Sequence, residues 1–263
     1  MFKTQIMGIL NLTPDSFYDS NQDLHTPINT FKNKLKSLKK ADIIDIGCES
    51  TRPGSKPISS SEELLRLSIL DKLNIQNKLL SIDSYKPEII EFCLKRGFSI
   101  INDISGGGIN FDNISIAKKY SCKIILMHMQ GVPKTMQNKP VYSNIVDDLN
   151  EYFSLRLEFC KSIGLPINDV MIDPGIGFGK TIKNNDDILL NLQEFKHFKC
   201  KIVVGISRKS FLRVSNDIPS DRLPQTIGVN AIAAYKGADI LRVHDVDETF
   251  KMLNIINRLK AYG

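Results

Sequence analysis

The sequence predicts an α/β protein built as a single (β/α)8 barrel, or TIM barrel, with its active site at the C-terminal ends of the strands. Eight short runs rich in Ile, Val and Leu are spaced along the chain, and longer amphipathic stretches separate them. Polar residues follow the runs, at the end where barrel enzymes place their chemistry. An open, doubly wound sheet is the second choice. A purely structural protein would have little reason for polar residues at all eight strand ends.

The predicted strands are near-continuous apolar runs, as expected for a parallel sheet with both faces buried. In chain order they span residues 4–10, 42–47, 79–83, 99–102, 123–128, 170–173, 201–206 and 239–243. Three stretches between them have apolar residues at helical spacing, so each is predicted to pack one face on the sheet. These stripes are Phe31, Leu35 and Leu38; Ile89, Ile90, Cys93 and Leu94 after Pro87; and Phe250, Leu253, Ile256 and Leu259.

Composition limits the class of protein. Residues 1–263 are predicted to form one domain, and the net charge of +6 is too modest to indicate a nucleic-acid partner, with basic residues dispersed and no Trp. The five cysteines contain no C-x-x-C pair, which argues against disulfides and a zinc site. Without a signal peptide or an apolar run long enough to span a membrane, we expect a cytoplasmic protein with no membrane partner.

Two carboxylates end predicted strands, Asp83 in LLSID and Asp173 in VMIDP. In one barrel mouth they could act as acid and base, or accept the N–H groups of a flat heterocycle. A helix cap or buried salt bridge is the alternative for either residue. With Asn102 and Lys209 at neighbouring strand ends, a guanine-like or pterin-like ring would satisfy the set of donors and acceptors.

The segment DPGIGFGKT, residues 173–181, is rich in glycine but is not a nucleotide-binding loop. A P-loop ending at Lys180 would need glycine where Pro174 stands, and the dinucleotide fingerprint would need a third glycine where Lys180 stands. The glycines instead predict a tight turn over the barrel mouth. Phe178 in this turn is either an aromatic wall for a ring or a core residue.

The segments SRKS (207–210) and RVHD (242–245) follow the last two strands, where many barrels bind phosphate. Arg242 and His244 are two residues apart on an extended segment, so both can point the same way. Together they predict an anion site. The alternatives are an ion pair from Arg242 to Asp245 or Asp247, and a structural role for His244.

The polar segments 11–19 and 49–55 follow the first two strands and are predicted to be mobile lid loops. Asn11 offers a neutral oxygen ligand for Mg²⁺, and Thr51 and Arg52 could reach an anion or second substrate. Glu49 is also predicted at a strand end in the mouth. His128 has the same position, but a structural role is preferred for it.

These motifs occur in a specific order. NLTPDSF, ESTRPGS, SID, INDISGG, LMHMQGVPKTMQ, DPGIGFGKT, GISRKSF and RVHDV run through essentially the whole chain. The chain thereby resembles the dihydropteroate synthases of folate biosynthesis. The resemblance implies condensation of 6-hydroxymethyl-7,8-dihydropterin pyrophosphate with p-aminobenzoate, aided by Mg²⁺, in a homodimer that sulfonamides inhibit.

Site residues follow from the same resemblance. It implies a pterin pocket of Asp83, Asn102, Asp173, Lys209, Met127 and Gly205, the first four of them catalytic. It implies a pyrophosphate site of Asn11 with Mg²⁺, Thr51, Arg242 and His244. It implies a p-aminobenzoate pocket of Thr51, Arg52, Pro53, Phe178, Ser207 and Lys209.

The expected reaction is an SN1-like substitution at the pterin methylene carbon, in which ionised Asp83 stabilises the cation. The chain departs from the family pattern at Cys48, at Arg213 and in a first loop with few glycines. Two alternatives share the pocket: a methyltransferase domain acting with methyltetrahydrofolate and a corrinoid, and an inactive pterin-binding protein. SRKS and RVHDV argue against the first, because methyl transfer has no pyrophosphate to bind.

Overall fold

The computed structural model describes residues 3–12, 27–50, 54–73, 75 and 78–261 of the chain. Within them, eight parallel strands pair in sequence order and close into a barrel when β8 pairs with β1. The strands are β1 (Gln5–Asn11), β2 (Ile43–Gly47), β3 (Leu79–Asp83), β4 (Ile100–Asp103), β5 (Lys123–Met127), β6 (Val170–Asp173), β7 (Lys201–Gly205) and β8 (Ile240–Val243). The predicted (β/α)8 barrel is confirmed, and the open sheet is excluded.

Eight α-helices alternate with these strands in the described part of the chain. They are α1 (Pro27–Ser37), α2 (Ser60–Leu67), α3 (Pro87–Leu94), α4 (Asp112–Tyr120), α5 (Ile145–Ser162), α6 (Ile182–Leu190), α7 (Leu223–Tyr235) and α8 (Val246–Lys260). Pro87 begins α3 as predicted, since its missing N–H is not needed in a first turn. No helix in these ranges is both long and apolar enough to cross a bilayer.

Two apolar layers lie on opposite sides of the strands. The larger layer fills the space between barrel and helices, and includes Phe31, Phe153 and Phe195. The smaller one has a single residue from each of seven strands, which places it inside the barrel. We call it the apolar plug; it consists of Met7, Ile43, Ile100, Ile125, Met171, Val203 and Ile240.

The predicted helix stripes are confirmed except at one residue. Phe31, Leu38 and the face of α3 are buried in the outer layer, and Leu253 of α8 is too. Leu259, however, is 52% exposed, because it lies in the last turn of α8, beyond the edge of the barrel. All five cysteines are buried and unpaired, as their spacing predicted.

Candidate active site

The site is a polar layer directly above the apolar plug. Side chains alternate along a strand, so the residue two positions after each plug residue points into the same barrel interior. For the plug residues of β2 and of β4 to β8, this rule places six residues in the layer: Asp45, Asn102, Met127, Asp173, Gly205 and Arg242. Asp83 lies in the same position relative to Ser81, the buried β3 residue. The fold thus brings the predicted pterin residues together from β3 to β8.

Arg242 lies between two buried carboxylates. Its Nε donates to Oδ2 of Asp45 at 2.6 Å, and its Nη2 donates to Oδ2 of Asp83 at 2.5 Å. The side chain of Asp45 is 0% exposed and that of Asp83 7% exposed. The guanidinium therefore pairs with both buried carboxylates, and its single positive charge offsets one of their two negative charges.

The suggested pairing of Arg242 with Asp245 or Asp247 is wrong. Asp245 instead accepts two hydrogen bonds from Arg208, and Asp247 contacts Lys40 at the surface. The physical reason is direction. Arg242 points into the barrel from β8, whereas both aspartates begin α8 on the outside.

Asn102 contributes an oriented amide. Its Nδ2 donates to Oδ2 of Asp45 at 3.0 Å. It pairs in register with Ile125, and Asp83 of the neighbouring strand pairs in register with Asn102 itself. Asp83, Asn102 and Asp45 therefore form one connected polar group with Arg242.

Burial sets the charge state of Asp83. It raises the pKa of the carboxyl to about 7, while Arg242 opposes the rise and Asp45 adds to it. A carboxyl in water titrates near 3.9. Burial therefore disfavours the ionised form on which the expected role of Asp83 depends, and Arg242 favours that form.

Asp173 and Lys209 form the opposite side of the layer. Burial raises the pKa of Asp173, opposed by Lys209 and by the N–H of Gly175, which donates to Oδ1 at 2.7 Å. Burial lowers the pKa of Lys209 to about 8, opposed by Asp173. The lysine Nζ donates to the carbonyl oxygen of Ile176 and lies 4.4 Å from the ring centroid of Phe178.

The glycines after Asp173 allow a close approach that no other residue could make. Gly175 and Gly177 have positive φ, of +68° and +80°. A Cβ at Gly175 would lie 1.9 Å from the carbonyl oxygen of His128, and one at Gly177 would lie 2.9 Å from Cδ of Lys209. The predicted tight turn over the mouth is present, and half-buried Phe178 is on it.

Ser207 and His244 join the loops after β7 and β8. Oγ of Ser207 lies 3.0 Å from Nδ1 of His244 and accepts from its backbone N–H at 3.3 Å. Ser207 is buried. The two predicted anion-binding segments are therefore held together at the same end of the barrel as Arg242.

Three further site residues have simple surroundings. Asn11 ends β1 and is half-buried, with no side-chain hydrogen bond to any residue the structure describes. Met127 is buried, and its carbonyl oxygen accepts from Tyr152 at 2.9 Å. A Cβ at Gly205 would lie 3.8 Å from Cβ of Arg242 and 3.9 Å from Nζ of Lys209, both ordinary van der Waals distances.

Part of the predicted site lies outside the described residues. Thr51, Arg52 and Pro53 belong to this part, as does most of the predicted first loop, residues 13–19. Among the departures from the family pattern, Cys48 is buried in the outer layer. Arg213 is exposed and donates to the carbonyl oxygen of Ser215.

Glu49 follows the end of β2 as predicted, but its side chain bonds to loop residues and to none of the polar layer among the described residues. It accepts from Nζ of Lys86 at 2.7 Å, from the hydroxyl of Tyr85 at 3.1 Å and from the N–H of Ile58 at 3.1 Å. Lys86 also pairs with buried Glu63 at 2.8 Å. The partners of this ionic cluster therefore come from the loops after β2 and β3 and from α2.

The sequence pattern did not predict two residues of the site, Asp45 and Lys180. Asp45 lies inside the apolar run of β2, and its signal was its position two residues after the inward-facing Ile43. Lys180 is 3% exposed, its pKa is lowered by burial to about 7, and its Nζ lies 2.9 Å from Nδ1 of His128. Burial also lowers the pKa of His128 to about 2, so its preferred structural role agrees with the geometry.

A scan of protein families matches residues 7–244 to the family described as pterin binding enzyme. The dihydropteroate synthase of Escherichia coli strain K12 is 40% identical over 258 residues, which is 95% of this chain and 90% of that protein. The Haemophilus influenzae dihydropteroate synthase is 39% identical over 258 residues, 95% of this chain and 92% of that protein.

Solved structures give the same result. The Yersinia pestis dihydropteroate synthase in a sulfonamide drug complex has a TM-score of 0.90 at 37% identity, covering 98% of this chain and 95% of that one. The Xanthomonas albilineans dihydropteroate synthase with 4-aminobenzoic acid has a TM-score of 0.89 at 30% identity, covering 98% and 94%. This chain therefore belongs to the pterin-binding enzymes, in the dihydropteroate synthase family of folate biosynthesis.

Proposed function

We propose that the polar layer above the apolar plug binds the pterin of the dihydropteroate synthase reaction. The observation that supports this is the set of buried acceptors, Asp83, Asn102 and Asp173, with the donor Lys209 beside Asp173. A carboxylate only accepts, and an ammonium only donates. A flat ring with several N–H groups along one edge and an acceptor elsewhere satisfies this arrangement.

The reaction exchanges one bond for another at the pterin methylene carbon. The C–O bond to pyrophosphate breaks, and the electron pair leaves with the pyrophosphate. The amine nitrogen of p-aminobenzoate then forms the new C–N bond and loses a proton. Ionised Asp83, more populated as the pH rises above about 7, stabilises the cationic pterin between these steps.

Arg242 and the loop pair Ser207–His244 are proposed to bind the pyrophosphate. The Nε and Nη2 of Arg242 are committed to carboxylates, which leaves Nη1 for a phosphate oxygen. Lys209, beside the ring of Phe178, lies between the pterin layer and the loop that would contact p-aminobenzoate. Thr51, Arg52 and Pro53 are proposed to complete that pocket.

Asn11 is the proposed protein ligand for Mg²⁺, which when bound supplies positive charge to the departing pyrophosphate. Within the described residues, no group of three His, Cys, Asp or Glu side chains could hold a metal. A neutral amide with no side-chain hydrogen bond to a described residue fits an ion that keeps its waters and bridges to substrate phosphates. Calorimetry of pyrophosphate binding tests this: Mg²⁺ should tighten it in the native chain and not in Asn11→Ala.

Pyrophosphate release tests the proposal as a whole. With dihydropterin pyrophosphate and Mg²⁺, release should depend on p-aminobenzoate and be competed by a sulfonamide. Asp83→Ala and Lys209→Ala should each reduce turnover at least about 100-fold. Lys183→Ala is the control, because that lysine lies on the surface of α6 with 81% of its side chain exposed. Release that ignores p-aminobenzoate, or near-normal turnover in either site variant, would contradict the assignment.

The curated relatives favour the synthase over the methyltransferase and the inactive protein. A homodimer and a cytoplasmic location stay predictions of the sequence. Light scattering at the concentration used for turnover would check the first.

A further inference from the structure

Asp45 is the buried charge that the roles above do not use. It is 0% exposed, inside β2, and both of its hydrogen bonds go through Oδ2, to Arg242 and to Asn102. Its Oδ1 has no hydrogen-bond partner among the residues that the structure describes. An unpaired buried carboxylate oxygen is costly, so fold stability alone does not account for this residue.

We propose that Asp45 is a positioning residue that orients the amide of Asn102, so that Asn102 presents its oxygen to the ligand and the site accepts a ring edge of N–H donors. This rests on the proposed function for the identity of the ring. Asp45 itself does not touch the ligand.

An asparagine side chain can present either its NH₂ or its oxygen to a partner, and the two differ little in shape. A carboxylate can only accept, so Asp45 fixes the NH₂ of Asn102 toward itself. The oxygen of Asn102 is then directed to the other side.

The neighbours make this orientation decisive for specificity. Asp83 and Asp173 also present acceptors from β3 and β6. If the amide turned over, a donor would stand in a row of acceptors, and one ring N–H would meet another N–H. A site built to pair with a polar group discriminates strongly when that partner is wrong, because the group is left buried and unpaired.

Arg242 adds a second constraint. Its Nε donates to the same Oδ2 atom that accepts from Asn102. Because the two donors bind the same oxygen, Asp45 fixes the orientations of both the amide and the guanidinium. Loss of Asp45 should therefore impair pterin binding and leave p-aminobenzoate binding nearly unchanged.

The test is a double-mutant cycle read by calorimetric binding of 6-hydroxymethyl-7,8-dihydropterin and by KM values. Asp45→Asn should weaken pterin binding at least about tenfold, since its amide no longer forces the orientation of Asn102, and should change KM for p-aminobenzoate less than about twofold. Asn102→Asp alone should also weaken binding, because it places two carboxylates together. The double variant should recover most of the affinity: Asn at 45 can donate to Asp at 102, which again presents oxygen to the ligand.

Asp103→Asn is the matched control. Asp103 is also 0% exposed, but it accepts from Ser105, Gly107 and Asn113 and from no site residue. This variant should melt at a lower temperature with both KM values unchanged.

Two results would overturn the inference. One is a double variant that binds pterin no better than the weaker single variant. The other is Asp45→Asn behaving like Asp103→Asn. Calorimetry measures pterin binding without turnover. A native chain with no synthase activity would therefore count against the proposed function, and the double-mutant cycle would still test the role of Asp45.

Discussion

Replacing Arg242 by methionine removes both buried ion pairs at once. Asp45 and Asp83 would then lie in the barrel with no guanidinium between them. Deleting one partner of a buried pair costs about 3–5 kcal/mol, because the remaining charge keeps its desolvation penalty. We expect Arg242→Met to lower the free energy of unfolding by this amount, although methionine fills most of the same space.

The loss of stability should depend on pH, because Arg242 influences the pKa of Asp83. Arg242 lowers the pKa of Asp83 against the effect of burial, so its removal raises that pKa further above 7. Above pH 7 the folded variant then binds a proton that the folded native protein does not. This protonation relieves part of the penalty, so the deficit is largest at about pH 9 and shrinks toward pH 7, by at most about 1.4 kcal/mol per pH unit for one proton.

Urea unfolding at both pH values measures this deficit. The matched control is Arg96→Met, whose partner Asp71 lies 3.9 Å away with side chains 44% and 67% exposed. An exposed pair of this kind contributes about 0–1 kcal/mol. A deficit for Arg242→Met no larger than that of Arg96→Met, or one that grows as the pH falls, would refute the reasoning.

Three further predictions follow from the same geometry. The kcat/KM for the pterin substrate should fall below about pH 7, where Asp83 takes up a proton, and above about pH 8, where Lys209 loses one; a flat profile of pyrophosphate release would contradict this. Gly177→Ala should reduce turnover at least about tenfold by displacing Lys209, whereas Gly97→Ala, with similar positive φ but no atom within 4 Å of the new Cβ, should not. A thiol reagent should label none of the five cysteines in the folded protein and all five in urea, and prompt labelling of the folded state would show that their burial is wrong.

Most of the polar layer was predictable because its residues end the apolar strands. Asp83 and Asp173 are the last residues of β3 and β6, and Asn102 is one residue before the end of β4. In a parallel barrel, all these ends meet at one face. The residues whose roles were missed lie elsewhere: Asp45 is hidden within a strand, and Lys180 follows a turn.

Glu49 shows what a position after a strand leaves undecided. It follows a strand in the sequence as the site residues do, but the loop after β2 directs it to Lys86. A position after a strand predicts the end of the barrel at which the residue lies. It does not predict where the side chain points. That direction depends on which neighbour is close enough to bond.

The sequence by itself determined the barrel, the order of its elements and the end at which its chemistry lies, since strand and helix periodicities are local properties of the chain. The tertiary structure alone decided the partners of Arg242. Its two carboxylates belong to β2 and β3, far away in sequence, and they reach β8 only because the sheet closes through β1. Closure fixes which strands face each other across the barrel, and no local pattern contains that information.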